Sequence, residues 1–114
     1  DDTVPLIRVT AIRSLARLGA VEAMDRILPH LNDPEVWVRI RTAEALGDLG
    51  SEKALPELIE QADDEDPQIR RAVVVAMMRI GSPAALETIR QATNDEDREV
   101  RVYAEKALKA LRKP

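Results

Sequence analysis

The sequence predicts an all-α fold of paired helices stacked side by side, and three observations carry that expectation. A 31-residue repeat runs along the whole chain, and apolar positions inside each unit recur at helical spacing. The third is composition: 45% of the 114 residues are apolar, yet aromatics are only 2% and Phe is absent. An interior of Ala and aliphatic side chains suits closely packed helices. It speaks against a β-sandwich or barrel, which draws on aromatic and β-branched residues.

Composition also narrows the chemistry. With no Cys there is no disulfide framework, thiolate metal site or cysteine nucleophile. A single His excludes any site built from several imidazoles. Seventeen basic and 21 acidic side chains leave a net charge of −4, so the whole molecule is no obvious polyanion binder. Net charge says nothing, however, about individual faces. No apolar run approaches the roughly 18 to 20 residues of a membrane helix. The chain opens Asp1-Asp2-Thr3, with neither Met nor a basic-then-apolar signal segment. The expectation is a cytoplasmic chain cut from something longer, with no membrane role.

The repeat is read from its columns. Arg8, Arg39, Arg70 and Arg101 lie 31 residues apart, and Asp2, Asp33, Asp64 and Asp95 keep the same interval. Apolar columns run Ile7, Val38, Ile69, Val100; Leu15, Leu46, Met77, Leu108; and Leu18, Leu49, Ile80, Leu111. Gly19, Gly50 and Gly81 close three units, with Arg112 in the fourth place. A second block adds Ala23, Ala54, Ala85 and Ile27, Leu58, Ile89.

Seven helices follow, at about 4–18, 21–31, 35–49, 52–62, 67–80, 83–93 and 98–112. In the first, Val4, Leu6 and Val9 enlarge the apolar surface as though an earlier helix once covered it. The second carries Ala23 and Ile27. In the third, Val38, Thr42, Leu46 and Leu49 step by four, four and three along one face. Ala43 and Ala45 allow a close neighbour, and Gly50 supplies a left-handed stop. Asp33-Pro34 falls two residues earlier in its unit than Asp66-Pro67, so this helix is expected to begin early. Ser51 caps the fourth helix, where Pro56 should sit about one turn inside and bend it. Asp66-Pro67 opens the fifth and Ser82-Pro83 the sixth, with Pro where a missing N–H costs nothing. Val73-Val74-Val75 is β-branched but in register with helical positions, so the repeat overrules local propensity. The seventh helix exposes Glu105, Lys106, Lys109, Arg112 and Lys113, the polar surface of a terminal cap. The acidic clusters at 63–66 and 95–97 mark turns.

Asp66-Pro67-Gln68-Ile69-Arg70, Ala43-Glu44-Ala45-Leu46-Gly47-Asp48-Leu49-Gly50 and Ala54-Leu55-Pro56-Glu57-Leu58 resemble HEAT repeats of the short, phycobilisome-lyase type. The resemblance covers essentially the whole chain. It implies a right-handed α-solenoid of the HEAT or armadillo type, with the Pro-bearing helices convex and those following Asp-Pro concave. By it the chain is a single domain, 1–114. A half repeat at 3–19 precedes full repeats at 20–50, 51–81 and 82–112, the C-terminal part of a longer array. The resemblance also implies an inter-repeat ladder of Asp2, Arg8, Asp33, Arg39, Asp64, Arg70, Asp95 and Arg101. In that ladder each Asp accepts from Arg and from turn amides, and a planar guanidinium bridges carboxylates of neighbouring units.

Outward positions on the presumed concave face are Val9, Thr10, Arg13, Arg17, Ile40, Arg41, Glu44 and Asp48, then Arg71, Ala72, Val75, Arg79, Val102, Tyr103, Lys106 and Ala110. Six bases against two acids put this surface at +4. Arg13, Arg17, Arg41, Arg71, Val75, Arg79, Tyr103 and Lys106 are the candidate partner-binding residues. An acidic peptide or helix suits a basic groove with apolar and aromatic interruptions. An ordinary solvated helix face is the competing reading. A nucleic-acid track is a third, because HEAT-like alkylpurine DNA glycosylases use such a surface, but acidity and scarce aromatics count against it.

Trp37 either packs over the adjacent turn or anchors a partner. His30 is followed by Leu31, not by the Glu that the HEAT-repeat di-iron deoxyhypusine hydroxylases would lead one to expect, and there is no second His. No metal, cofactor, phosphate loop or Ser/His/Asp system is expected. The function read here is a non-catalytic binding scaffold, monomeric or weakly dimeric through its first helix. The alternative is a subunit of a HEAT-like enzyme such as a bilin lyase.

Overall fold

The computed structural model describes residues 3–18 and 23–112, and every regular element among them is helical. Four long helices, α1 (Thr3–Leu18), α3 (Val36–Leu49), α5 (Pro67–Ile80) and α7 (Arg98–Arg112), form one layer in chain order. Three shorter ones, α2 (Met24–Ile27), α4 (Leu55–Gln61) and α6 (Leu86–Ala92), form the second. Each short helix packs on the long helix that follows it. Four helices spaced at roughly 8–10 Å account for a longest dimension of 38 Å. The molecule is an all-α solenoid, and no described helix is long and apolar enough to cross a membrane.

The apolar columns build a continuous core. Val38, Ile69 and Val100 are buried, as are Leu46, Met77 and Leu108, and Ile27, Leu58 and Ile89. Gly50 and Gly81 end α3 and α5 in the left-handed region, at φ 69° and 73°, where a Cβ would be strained. Ser51, Asp66 and Ser82 accept from the amides of Lys53, Gln68 and Ala84, satisfying groups that helix starts leave open. Gly47 does different work. A Cβ there would stand 2.9 Å from the Ala76 Cα, so glycine lets α3 and α5 touch backbone to backbone.

Four expectations need correction. The short helices open or close as 3₁₀ turns, at Leu28–Asn32, Glu52–Ala54 and Pro83–Ala85. That shifts Pro56 into the first turn of α4, where its missing N–H removes no helical bond, so it does not bend the helix interior. Nor does α3 begin early. It starts at Val36, in step with Pro67 of α5, because Asp33 and Pro34 are held in the preceding turn, where the Asp33 carboxylate accepts from the Glu35 amide. Ile7, read as a core position, is 66% exposed. Its column is buried only where a preceding long helix lies alongside, and no described element precedes α1. Val4 and Leu6 are exposed with it. Asp2, Gly19 and Lys113 lie outside the described residues.

Candidate functional site

Two sets of arginines organise the surface. The first is periodic. Arg8 donates from Nε and Nη2 to the two Asp33 oxygens at 2.7 and 3.0 Å, and Arg70 grips Asp95 in the same way at 2.9 and 3.0 Å. In both, the carboxylate belongs to the turn 25 residues later. The other arm of the fork turns back to its own turn. Arg39 Nη1 donates to the Asp33 carbonyl, Arg70 Nη1 to those of Asp64 and Glu65, and Arg101 Nη1 to those of Asp95 and Glu96. Among the described residues Arg70 shows the whole pattern, tying one carboxylate to main-chain carbonyls, and no described guanidinium is hydrogen-bonded to carboxylates of two different units.

Each Asp in turn fixes its own loop by accepting the amide two residues on, at Glu35, Asp66 and Asp97. The middle rung is looser: Arg39 Nη2 stands 3.9 Å from Asp64, and its buried Nε has no partner. Burial pushes the Asp33 and Asp95 carboxyls up, but the arginine and amide hydrogen bonds outweigh it. Both stay below the ordinary carboxylate value. The bond to Asp95 raises the Arg70 pKa despite burial.

The second set lies on the outward face of the long helices and does not recur with the period. Arg41 pairs with Glu44 at 2.9 Å, Arg79 with Asp48 at 2.7 Å, and Arg71 with Glu99. The last two pairs cross between neighbouring helices. Glu99 and Arg98 join the face at the start of α7, so it carries three carboxylates against seven cations. For Glu99 the one sequence signal was position: it heads α7, 28 residues after Arg71. Arg13 and Arg17 make no ion pair among the described residues, and the Lys106 ammonium lies 5.3 Å from the Tyr103 ring centroid.

These side chains surround two hollows. One, of about 340 Å³, lies between α1 and α3 and is lined by Arg13, Ala16, Arg17, Arg41, Glu44, Ala45 and Asp48. The other, of about 370 Å³, lies between α5 and α7, with Arg71, Arg98, Glu99, Val102, Tyr103 and Lys106 around it. Val75 is half-buried between them. Val9, expected on this face, is buried at 2% exposure. Trp37 remains 37% exposed and Val102 40%. His30 stands 3.8 Å from Asp33 and joins no group of metal-ligating side chains among the described residues.

Solved structures share this architecture. Human deoxyhypusine hydroxylase in complex with glycerol superposes at a TM-score of 0.82 with 27% identity, over 90% of this chain and 36% of that one. The complex of CpcE and CpcF of phycocyanin lyase from Nostoc gives 0.76 and 27%, over 91% of this chain and 44% of that one. The chain thus spans less than half of either. No curated protein sequence is significantly similar to it. The family of HEAT repeats matches residues 1–74 and again 24–109, overlapping spans that together take in nearly every residue. This chain belongs to the HEAT-repeat family.

Proposed function

We propose that the chain is a non-catalytic binding module that offers the outward face of α1, α3, α5 and α7 to an acidic segment of another protein. One observation carries this reading. In a molecule of net charge −4, a single face gathers Arg13, Arg17 and Lys106, none in an ion pair among the described residues, beside the exposed apolar surface of Val102 and Trp37. Cations free of internal partners steer and hold an acidic ligand, and aromatic surface next to them adds contact area. Arg41, Arg71 and Arg79 belong to the same face, with their charge already partly answered.

The test is binding of fluorescent acidic peptides to the chain, with an Arg13→Glu/Arg17→Glu/Lys106→Glu variant beside it. The native chain should bind with an affinity that falls as salt rises, and the variant should not bind. Equal binding by both would sink the reading.

Likeness to the phycocyanin lyase complex supports a second reading, a subunit of an enzyme of that kind. Its test is a visible absorption change when the chain meets a free bilin. A flat spectrum removes it.

A further inference from the structure

We infer that the face is bipolar: the hollow between α1 and α3 takes two neighbouring carboxylates of the ligand, and the hollow between α5 and α7 takes an apolar side chain of the same segment. This rests on the reading above and specifies its ligand.

The argument begins with how each cation is already used. Asp48 lines the first hollow, but its charge is drawn to Arg79 across the α3–α5 boundary at 2.7 Å. Glu44 is held by Arg41 on its own helix. What remains at the rim of that hollow is Arg13 and Arg17, one helical turn apart on α1. Guanidiniums at that spacing match two adjacent carboxylates, each able to accept a forked pair of bonds.

The second hollow is different in kind. Arg71 is answered by Glu99, and Lys106 sits over the Tyr103 ring, so no guanidinium is left without a carboxylate except Arg98 at the edge. Val102 and Tyr103 supply its surface, which suits an aliphatic or aromatic side chain. Between the hollows lie the Arg79–Asp48 pair and half-buried Val75, a stretch that neither attracts nor repels an acidic chain strongly.

Two helix spacings of roughly 8–10 Å, with about five residues of axial offset at 1.5 Å each, separate the hollows by about 20 Å. An extended segment rising about 3.3 Å per residue covers that in about six residues. The ligand is therefore a short extended stretch of another protein, with an acidic pair at one end and a bulky apolar residue about six positions away.

The probes are synthetic peptides with two adjacent Glu and one Leu, separated by Ser/Gly spacers of about six or about two residues, each in both sequence directions. Fluorescence anisotropy measures affinity, and circular dichroism checks that each variant keeps its helices. The long-spacer peptide should bind best in one direction. Arg13→Gln/Arg17→Gln should weaken it about tenfold or more. Tyr103→Ala should weaken only the long-spacer peptide, about threefold to tenfold. Removing an exposed ion pair of the second layer, Glu87→Ala/Arg90→Ala, should change little.

Equal losses in all three variants, or no effect of spacer length, would overturn the bipolar arrangement while leaving the acidic-ligand reading intact. No binding of any acidic peptide to the native chain would overturn that reading and this one together. So would a single-stranded oligonucleotide bound more tightly than every peptide.

Discussion

The turn edge and the outward face of the long helices both depend on arginine, and they use it in opposite ways. At the edge, arginine recurs every 31 residues, and its partners come from the same repeat: a carboxylate in the next turn for Arg8 and Arg70, a carbonyl in its own turn for Arg39, Arg70 and Arg101. On the outward face no arginine column is complete. Arg71 falls in a column with Val9, Ile40 and Val102, and Arg79 in one with Arg17, Asp48 and Ala110. Its pairs form wherever an acid happens to lie across the boundary. Periodic charge holds the stack together, whereas aperiodic charge is free to differ and is where recognition can reside.

The comparison breaks most visibly at Arg70. The residue is 9% exposed, and its guanidinium holds the Asp95 carboxylate with two bonds and two carbonyls with its remaining arm. Arg70→Ala leaves a largely buried carboxylate with one amide partner, and should cost about 3 kcal/mol. Urea denaturation reads this as a lower midpoint at unchanged slope. Arg70→Lys keeps the charge but not the fork, and should recover less than half of the loss. A cost below about 1 kcal/mol would mean that the rung is ornamental.

Acid should act through the same rungs. The Asp33 and Asp95 carboxyls lie below their unfolded value of about 3.9, so the folded chain holds them ionised more firmly than the unfolded chain does. Their contribution is present in full above the unfolded value and is lost as pH falls through the lower folded values. Stability measured by urea should therefore decline steadily below about pH 4. Arg70→Ala, which releases Asp95, should make that decline shallower. An unchanged acid slope in that variant would remove Asp95 from the account.

Arg101 sharpens the comparison from within its own column. It keeps the two carbonyl bonds of its turn but has no carboxylate partner among the described residues. Arg101→Ala should cost about 1 kcal/mol, clearly less than Arg70→Ala. Equal costs at the two positions would shift the weight of the rung from the carboxylate to the carbonyls.

Much of the fold was legible because repetition places the same side chain in the same surroundings. The columns of Val38, Leu46 and Leu58 were read as core and are buried. What escaped were features that depend on neighbours or on three residues at a time. Periodicity of 3.6 is indistinguishable from 3.0 over Glu52–Ala54, so the 3₁₀ openings and the true place of Pro56 were invisible. Ile7 shares its column with buried residues, yet burial belongs to a pair of helices and not to a column. On the outward face, the candidate residues could be gathered by elimination, but their pairing could not. Arg71 and Glu99 are 28 apart, an offset that the period does not mark, and Val9 is buried although Val102 in the same column is 40% exposed.

The smallest effect on stability should be the most informative about the outward face. The Arg79–Asp48 pair joins side chains that are 49% and 63% exposed, so breaking it from either side should cost about 0.5 kcal/mol or less. The two ways of breaking it are not equivalent for a ligand. Arg79→Ala releases Asp48 toward the hollow that Arg13 and Arg17 border, where it competes with an incoming carboxylate. Asp48→Asn removes that competitor. The first should weaken an acidic peptide about two- to threefold and the second should strengthen it by a similar factor, both effects shrinking at high salt. Anisotropy titrations at low and high salt measure the divergence. If both variants weaken binding alike, the pair shapes the face instead of setting its charge, and the hollow between α1 and α3 loses its claim to the carboxylates.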